Sequence, residues 1–309
     1  MQPLETEFAP VQIGDGPGAA VGVIGLGIIG GGVARHLVAR GNRVVVCDSR
    51  PEAFEPFVGH AETTQDPAAL ASACEVVVIA VVNDEQVRQV MRGVLSNAAP
   101  GTVVIVLSTV LVETVVELAE VARRTHVTVL DCGVSGGPAA AAQGQLVCMI
   151  GGDSGAIERI APVLDAWSSE IIHTGPVGSG LAAKLARNVV QYGAWLAAYE
   201  GQTLAEAYGV DLAKLGQAIR AADALSGGTA ALMFRDTVAP FGDGDDPKLV
   251  EAMRAGAGLA HKDLRIALAL ADAIGVDLPM AALTEARCDR IFGVGSTGAA
   301  DEPTHDGEG

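Results

Sequence analysis

Four polar side chains recur at spacings of three and four in an otherwise Ala- and Leu-rich stretch: Lys184, Arg187, Asn188 and Gln191. On a helix these spacings place them on neighbouring parts of one surface. Such a stripe has two readings, a face turned to solvent or a set of groups converging on a ligand. In the second reading Lys184 is a general acid/base. A lysine lowered in pKa by its surroundings exchanges a proton with a hydroxyl or carbonyl oxygen. Arg187 and Asn188 would then hold the substrate. The segment Gly175-Pro176-Val177-Gly178-Ser179-Gly180 leads directly into this stretch.

A second cluster is the turn Gly25-Leu26-Gly27-Ile28-Ile29-Gly30, set directly after the apolar run Val21–Ile24 and opening a helical pattern. Glycine spacing alone is a weak signal; the strand–turn–helix context makes it a dinucleotide-binding fingerprint. Gly25 allows a tight turn, Gly27 lets backbone N–H groups approach a pyrophosphate, and Gly30 lets helix and strand pack closely. The helix N-terminus adds partial positive charge. Asp48 ends the next apolar run, 23 residues beyond Gly25, where it can accept from both ribose hydroxyls and repel a 2′-phosphate. NAD is thus the first choice and NADP the second. Arg50, two residues on, could turn toward such a phosphate; the preferred reading is a solvated loop residue.

A third cluster is Asp131-Cys132-Gly133-Val134-Ser135-Gly136-Gly137-Pro138, after another apolar run. Ser135 with the N–H groups of Gly136 and Gly137 suits a carboxylate, and a purely structural turn suits the same residues equally well.

These clusters need a scaffold. Candidate strands are Val21–Ile24, Arg43–Cys47, Val76–Val81, Val103–Leu107, Val127–Asp131, Leu146–Ile150 and Ile171–His173, with helical stretches such as Ile29–Ala39, Asp84–Val90 and Leu111–Arg123 between them. Short Val/Ile runs separated by helices imply a parallel sheet covered on both faces, the doubly wound Rossmann-type α/β pattern. After Gly180 no strand candidate follows. Helical stretches are expected at Leu181–Tyr208, Leu212–Ala221, Thr229–Phe234, Pro247–Ala255, Leu259–Ala273 and near Ala281–Ile291, an all-α domain. The expected organisation is an N-terminal tail (1–19), a nucleotide-binding domain (20–178), an all-α domain (179–292) and a disordered tail (293–309). The first long helix looks largely buried, and its length calls for more partner surface than one small domain supplies, which suggests a homodimer or higher homo-oligomer.

Composition narrows the classes. The chain has 309 residues, 50% of them hydrophobic, with a formal charge of −17 and a mean hydropathy of +0.36. Disorder throughout is excluded. Nucleic acid and anionic membranes, which favour Lys and Arg excess, are poor partners. Five cysteines without C-x-x-C spacing argue against a disulfide framework or a structural metal site. With no signal-peptide pattern and no spanning apolar run, the chain reads as cytoplasmic.

The ordered set Gly25–Gly30, Asp131–Gly137, Gly175–Asn188 and Lys262-Asp263-Leu264 resembles the β-hydroxyacid dehydrogenases, the family of 3-hydroxyisobutyrate dehydrogenase and tartronate semialdehyde reductase, related to 6-phosphogluconate dehydrogenase. The resemblance spans Val21 to Ile291. It implies that the glycine turn and Asp48 hold the dinucleotide. Val81, Val82 and Asn83 would form a loop touching it, and Ser108 and Thr109 would lie near the nicotinamide. Ser135, Gly136 and Gly137 would bind the substrate carboxylate, with Lys184 as the catalytic lysine, Asn188 orienting substrate, and Lys262 near the nicotinamide from the helical domain. The implied reaction interconverts a β-hydroxyacid and its semialdehyde or keto form. Three departures stand out. Arg187 takes a position where many members carry Asn, Cys132-Gly133 replaces the frequent Ala-Pro pair, and the acidic segment Gly242–Asp246 is longer than usual. Two alternatives are an imine reductase-like NADPH oxidoreductase, against which the retained Lys184 speaks, and a non-catalytic NAD-binding protein.

Overall fold

The computed structural model describes residues 20–235 and 237–294, so the expected tails lie almost wholly outside the described residues. The chain divides into two compact units between Arg187 and Asn188.

In the first unit the strands are β1 (Val21–Ile24), β2 (Val44–Cys47), β3 (Glu62–Thr64), β4 (Val76–Ile79), β5 (Val103–Val106), β6 (Thr128–Ser135), β7 (Leu146–Gly151) and β8 (Ser168–Gly175). The helices are α1 (Ile28–Ala39), α2 (Pro67–Ala73), α3 (Asp84–Asn97), α4 (Val112–Arg123), α5 (Gly137–Gln143) and α6 (Ser154–Leu164). They build one sheet in the order β3-β2-β1-β4-β5-β6-β7-β8. The order reverses between β1 and β4, the place where doubly wound sheets open a ligand crevice at the carboxyl ends of the strands.

Alternation along each strand explains why both faces are dry. Val21, Val23, Val103 and Ile105 point into one core layer, while Ile24, Val104 and Val106 point into the other. A strand buried on both sides has no polar face to show, hence the continuous Val/Ile runs.

The sheet departs from the expected all-parallel form: β7 runs antiparallel to β6. The seven-residue α5, closed by left-handed Gly144, returns the chain too soon for a full crossover. Strand β3 lacks an apolar run, and α2, α5 and α6 went unmarked in the sequence for want of long periodic patterns.

Helix α7 (Ser179–Ala207) begins in the first unit and runs into the second, which also contains α8 (Leu212–Ser226), α9 (Pro247–Ala273), α10 (Pro279–Ala286) and α11 (Cys288–Ile291). No strand follows Gly175 among the described residues. The two helices expected over 247–273 are one continuous helix, since Gly256 and Gly258 do not break it. Of the expected helix Thr229–Phe234 only a 3₁₀ turn at Gly228–Ala230 forms.

Candidate active site

The glycine turn lies at the switch point. Gly25 has φ +91°, a left-handed conformation that Gly adopts without steric cost. A Cβ on Gly30 would collide with the carbonyl oxygen of Gly25, so α1 presses on the turn only because residue 30 is glycine. Beside it a cleft of about 710 Å³ is lined by Gly25, Gly27, Asp48, Arg50, Val81 and Val82, among others.

Asp48, 8% exposed, holds that cleft together. Its Oδ2 accepts from the Leu26 amide at 2.8 Å, and its Oδ1 accepts from the Arg50 amide at 2.9 Å. Burial pushes this carboxyl up, but the Arg50 side chain and the two backbone donors outweigh it, and the net shift is downward. Asp48 therefore stays an acceptor. Arg50 is not the merely solvated residue expected: its Nε reaches Asp48 Oδ1 at 3.1 Å although the side chain is 56% exposed.

The other loop residues take local roles. Asn83 caps α3 by accepting from the Gln86 amide at 3.0 Å. Val82 is exposed, and its amide donates to Gln86 Oε1. Buried Ser108 donates to the Val81 carbonyl at 2.8 Å, which ties the β4 and β5 ends together, while Thr109 is exposed. A left-handed turn, a helix start pressed against it, a buried carboxylate and a cleft of this size fit the pyrophosphate and adenosine ribose of a dinucleotide.

The second centre forms around Lys184. Strand β6 does not end at Asp131 as expected but continues to Ser135, so Asp131, Gly133 and Ser135 share one face. Each meets the start of α7. Asp131, fully buried, accepts from the Gly178 amide at 2.6 Å and the Leu181 amide at 2.7 Å. Gly133 leaves room that a Cβ would take from the Lys184 side chain and the Gly180 carbonyl. Ser135 Oγ accepts from Lys184 Nζ at 3.2 Å. Gly151 and Gly180 serve the same packing: a Cβ on Gly151 would stand 2.5 Å from Asp131 Oδ1, and one on Gly180 2.6 Å from the Asp131 carbonyl oxygen.

Lys184 is half-buried, and burial first, then the nearby Arg187 charge, lowers its pKa below the usual lysine value. The chain has four lysines, and Lys184 alone precedes residue 214. It is the one lysine of the first unit, and unlike that unit's arginines it can give up a proton.

Gly136 and Gly137 follow Ser135 with φ of +113° and +67° and are exposed, as is Arg187. Asn188 lies one turn beyond Lys184 on α7. Lys262 belongs to the second unit, on α9, where its Nζ lies 3.2 Å from Asp263 Oδ1. Asp131 opens the third cluster in the sequence without a role of its own; its signal is the period-two run Asp131-x-Gly133-x-Ser135, readable once the strand is extended through the glycine.

All five cysteines are free and buried, and among the described residues no metal-ligating cluster occurs. No helix among them is long and apolar enough to cross a membrane.

Residues 20–175 match the family model of the NAD-binding domain of 6-phosphogluconate dehydrogenase. Residues 178–302 match that of the NAD-binding region of NADP-dependent 3-hydroxyisobutyrate dehydrogenase. An uncharacterized oxidoreductase of Mycobacterium tuberculosis is 40% identical, covering 89% of this chain and 93% of its own. The 3-hydroxyisobutyrate dehydrogenase of Pseudomonas aeruginosa is 31% identical over 85% of this chain and 89% of its own. The crystal structure of an oxidoreductase from Mycobacterium avium superposes with a TM-score of 0.82 at 38% identity, over 89% of this chain and 98% of that one.

Proposed function

Because the chain belongs to the β-hydroxyacid dehydrogenase family typified by 3-hydroxyisobutyrate dehydrogenase, and is thus an NAD(P)-binding oxidoreductase, we propose that it interconverts a β-hydroxyacid and its semialdehyde or keto form, with NAD preferred. The observation that carries this reading is Lys184: a lone, half-buried lysine of lowered pKa, seated on Ser135 at the start of a helix.

When bound, the nicotinamide supplies a hydride acceptor in oxidation and a hydride donor in reduction. The protein's own residues do the rest. In oxidation the neutral Lys184 amine takes the substrate hydroxyl proton, and in reduction the ammonium returns it to the nascent alkoxide. Ser135 with the amides of Gly136 and Gly137 holds the carboxylate, and Asn188 orients the reacting oxygen. Arg187 keeps the lysine acidic enough to cycle. Asp48 holds the adenosine ribose, Val81, Val82, Asn83, Ser108 and Thr109 border the dinucleotide, and Lys262 acts near its nicotinamide end.

The test is NADH formation with a panel of β-hydroxyacids, run beside cyclic imines with NADPH. Turnover of one or more hydroxyacids is expected; turnover of imines alone would overturn the reading.

A homodimer or larger homo-oligomer belongs to the same proposal. Against the expectation of a buried helix, α7 exposes Val189, Tyr192, Trp195, Leu196 and Tyr199, each at 50% or more, and neither α8 nor α10 fully buries a residue. Apolar surface of that extent marks an association site. Light scattering should give a mass of at least twice 31.3 kDa.

A further inference from the structure

We infer that Asp131 is the positioning residue for Lys184: its carboxylate clamps the first turn of α7 and so sets where the lysine stands over Ser135. The inference rests on the proposed role of Lys184.

The geometry is specific. The first-turn N–H groups of a helix have no partner within the helix, and here two donors that flank the start of α7, Gly178 and Leu181, both point at one buried carboxylate. Lys184 follows Leu181 by three residues, less than one turn. Asp131 and Ser135 lie on the same strand face, four residues apart, so the group that grips the helix and the group that receives Lys184 Nζ are parts of one rigid element. Gly133, between them, admits the Lys184 stem. The side-chain type matters because both Asp131 oxygens accept here, whereas an amide in its place presents an NH₂ to one of the two N–H donors. A helix start released from this grip shifts the lysine relative to Ser135, and a displacement of about 1 Å at a catalytic group costs on the order of 10²-fold in rate.

The test compares wild type with Asp131→Asn. Each lysine is labelled with acetic anhydride across a pH series and read by peptide mass spectrometry. Lys184 should label with a raised pH midpoint in the variant as it leaves its half-buried seat, while labelling of Lys214, Lys248 and Lys262 stays as in wild type. In the same variant kcat should fall about 10²-fold with KM for the hydroxyacid changed much less, and the affinity for NADH, measured by fluorescence, should be unchanged. An unchanged Lys184 midpoint would overturn the inference, whatever happens to kcat. The labelling needs no substrate, so it still decides the role of Asp131 if no hydroxyacid is turned over and the functional reading fails. Should Asp131→Asn not fold, amide exchange in the wild-type protein decides instead. Slow exchange at Gly178 and Leu181 supports the clamp, and exchange at the rate of open loop amides refutes it.

Discussion

The guanidinium of Arg50 closes on Asp48, its Nε 3.1 Å from Oδ1 and its second nitrogen 3.2 Å from Oδ2. The pair sets a cation beside the carboxylate proposed to hold the ribose, and that cation is already engaged by the carboxylate. We expect kcat/KM to be higher with NAD than with NADP. Asp48→Ala should narrow that gap, since it removes the ribose acceptor and the repulsion together and frees Arg50. Arg50→Ala should lower the NADP rate further and leave the NAD rate nearly unchanged. A higher kcat/KM with NADP in the wild type would sink the preference.

Gly30→Ala tests the turn. The added methyl meets the Gly25 carbonyl oxygen and, at 2.9 Å, the Ala80 side chain. Overpacking of this kind costs about 1–3 kcal/mol, here at the helix start proposed to hold the pyrophosphate. Dinucleotide affinity measured by fluorescence should fall at least tenfold; an unchanged affinity would show that the turn is not the binding element.

Arg187 carries two expectations. Its charge is the second cause, after burial, of the lowered Lys184 pKa. As the proposed base in oxidation the lysine must be neutral, so Arg187→Ala should move the ascending limb of the pH–rate profile to higher pH. If Arg187 also reads an acidic group on the substrate, KM should rise far more for a bulkier anionic hydroxyacid than for a simple three-carbon one. Equal effects on both substrates would assign Arg187 a structural role.

In the helical unit His261 on α9 faces Glu285 of α10 at 2.9 Å and Asp289 of α11 at 3.2 Å, and Arg265 donates to the same Glu285 at 2.6 Å. Both ring nitrogens face carboxylate oxygens, an arrangement served best by the doubly protonated ring. The hydrogen bond to Glu285 raises the His261 pKa despite partial burial, and that of Glu285 is lowered, first by His261 and then by Arg265. A raised histidine contributes stability that is complete below its ordinary value and is lost as pH rises through the raised one. A lowered glutamate contributes stability above its ordinary value, lost as pH falls through the lowered one. Thermal unfolding should therefore show wild type gaining most over His261→Gln in mildly acidic buffer, with the difference shrinking as pH rises. A difference independent of pH would refute the charged pairing.

Much of this was legible in the residues. The Val/Ile-rich runs mark β1, β2, β4 and β5 because strands buried on both faces leave no polar side to show, and Gly25 to Gly30 mark the turn because its geometry demands glycine. Lys184 was legible from helical spacing. The grip of Asp131 was not, because Gly133 reads as a strand breaker and conceals that the strand runs on to Ser135. Only the packed structure shows that the glycine is there to admit the Lys184 stem. Nor was β3, whose polar residues Glu62–Thr64 lie at the sheet edge without a hydrophobic pattern. The exposure of α7 in the single chain is not legible either, because an Ala/Leu-rich helix looks the same in sequence whether or not its own domain covers it.

The most direct measurement is steady-state turnover of a β-hydroxyacid by Lys184→Ala and Lys184→Arg beside wild type, with NADH affinity followed in parallel. Loss of a positioned general acid/base costs about 10²–10⁴-fold in rate. Lys184→Ala should lose turnover on that scale with cofactor affinity nearly intact, because the Asp48 cleft is built by other strands. Lys184→Arg keeps the charge but holds its proton too tightly to exchange it, so it should fail almost as badly. Near-normal turnover by Lys184→Arg would make charge, rather than proton transfer, the role of this side chain and contradict the mechanism; an active Lys184→Ala beside an inactive Lys262→Ala would move that role to Lys262.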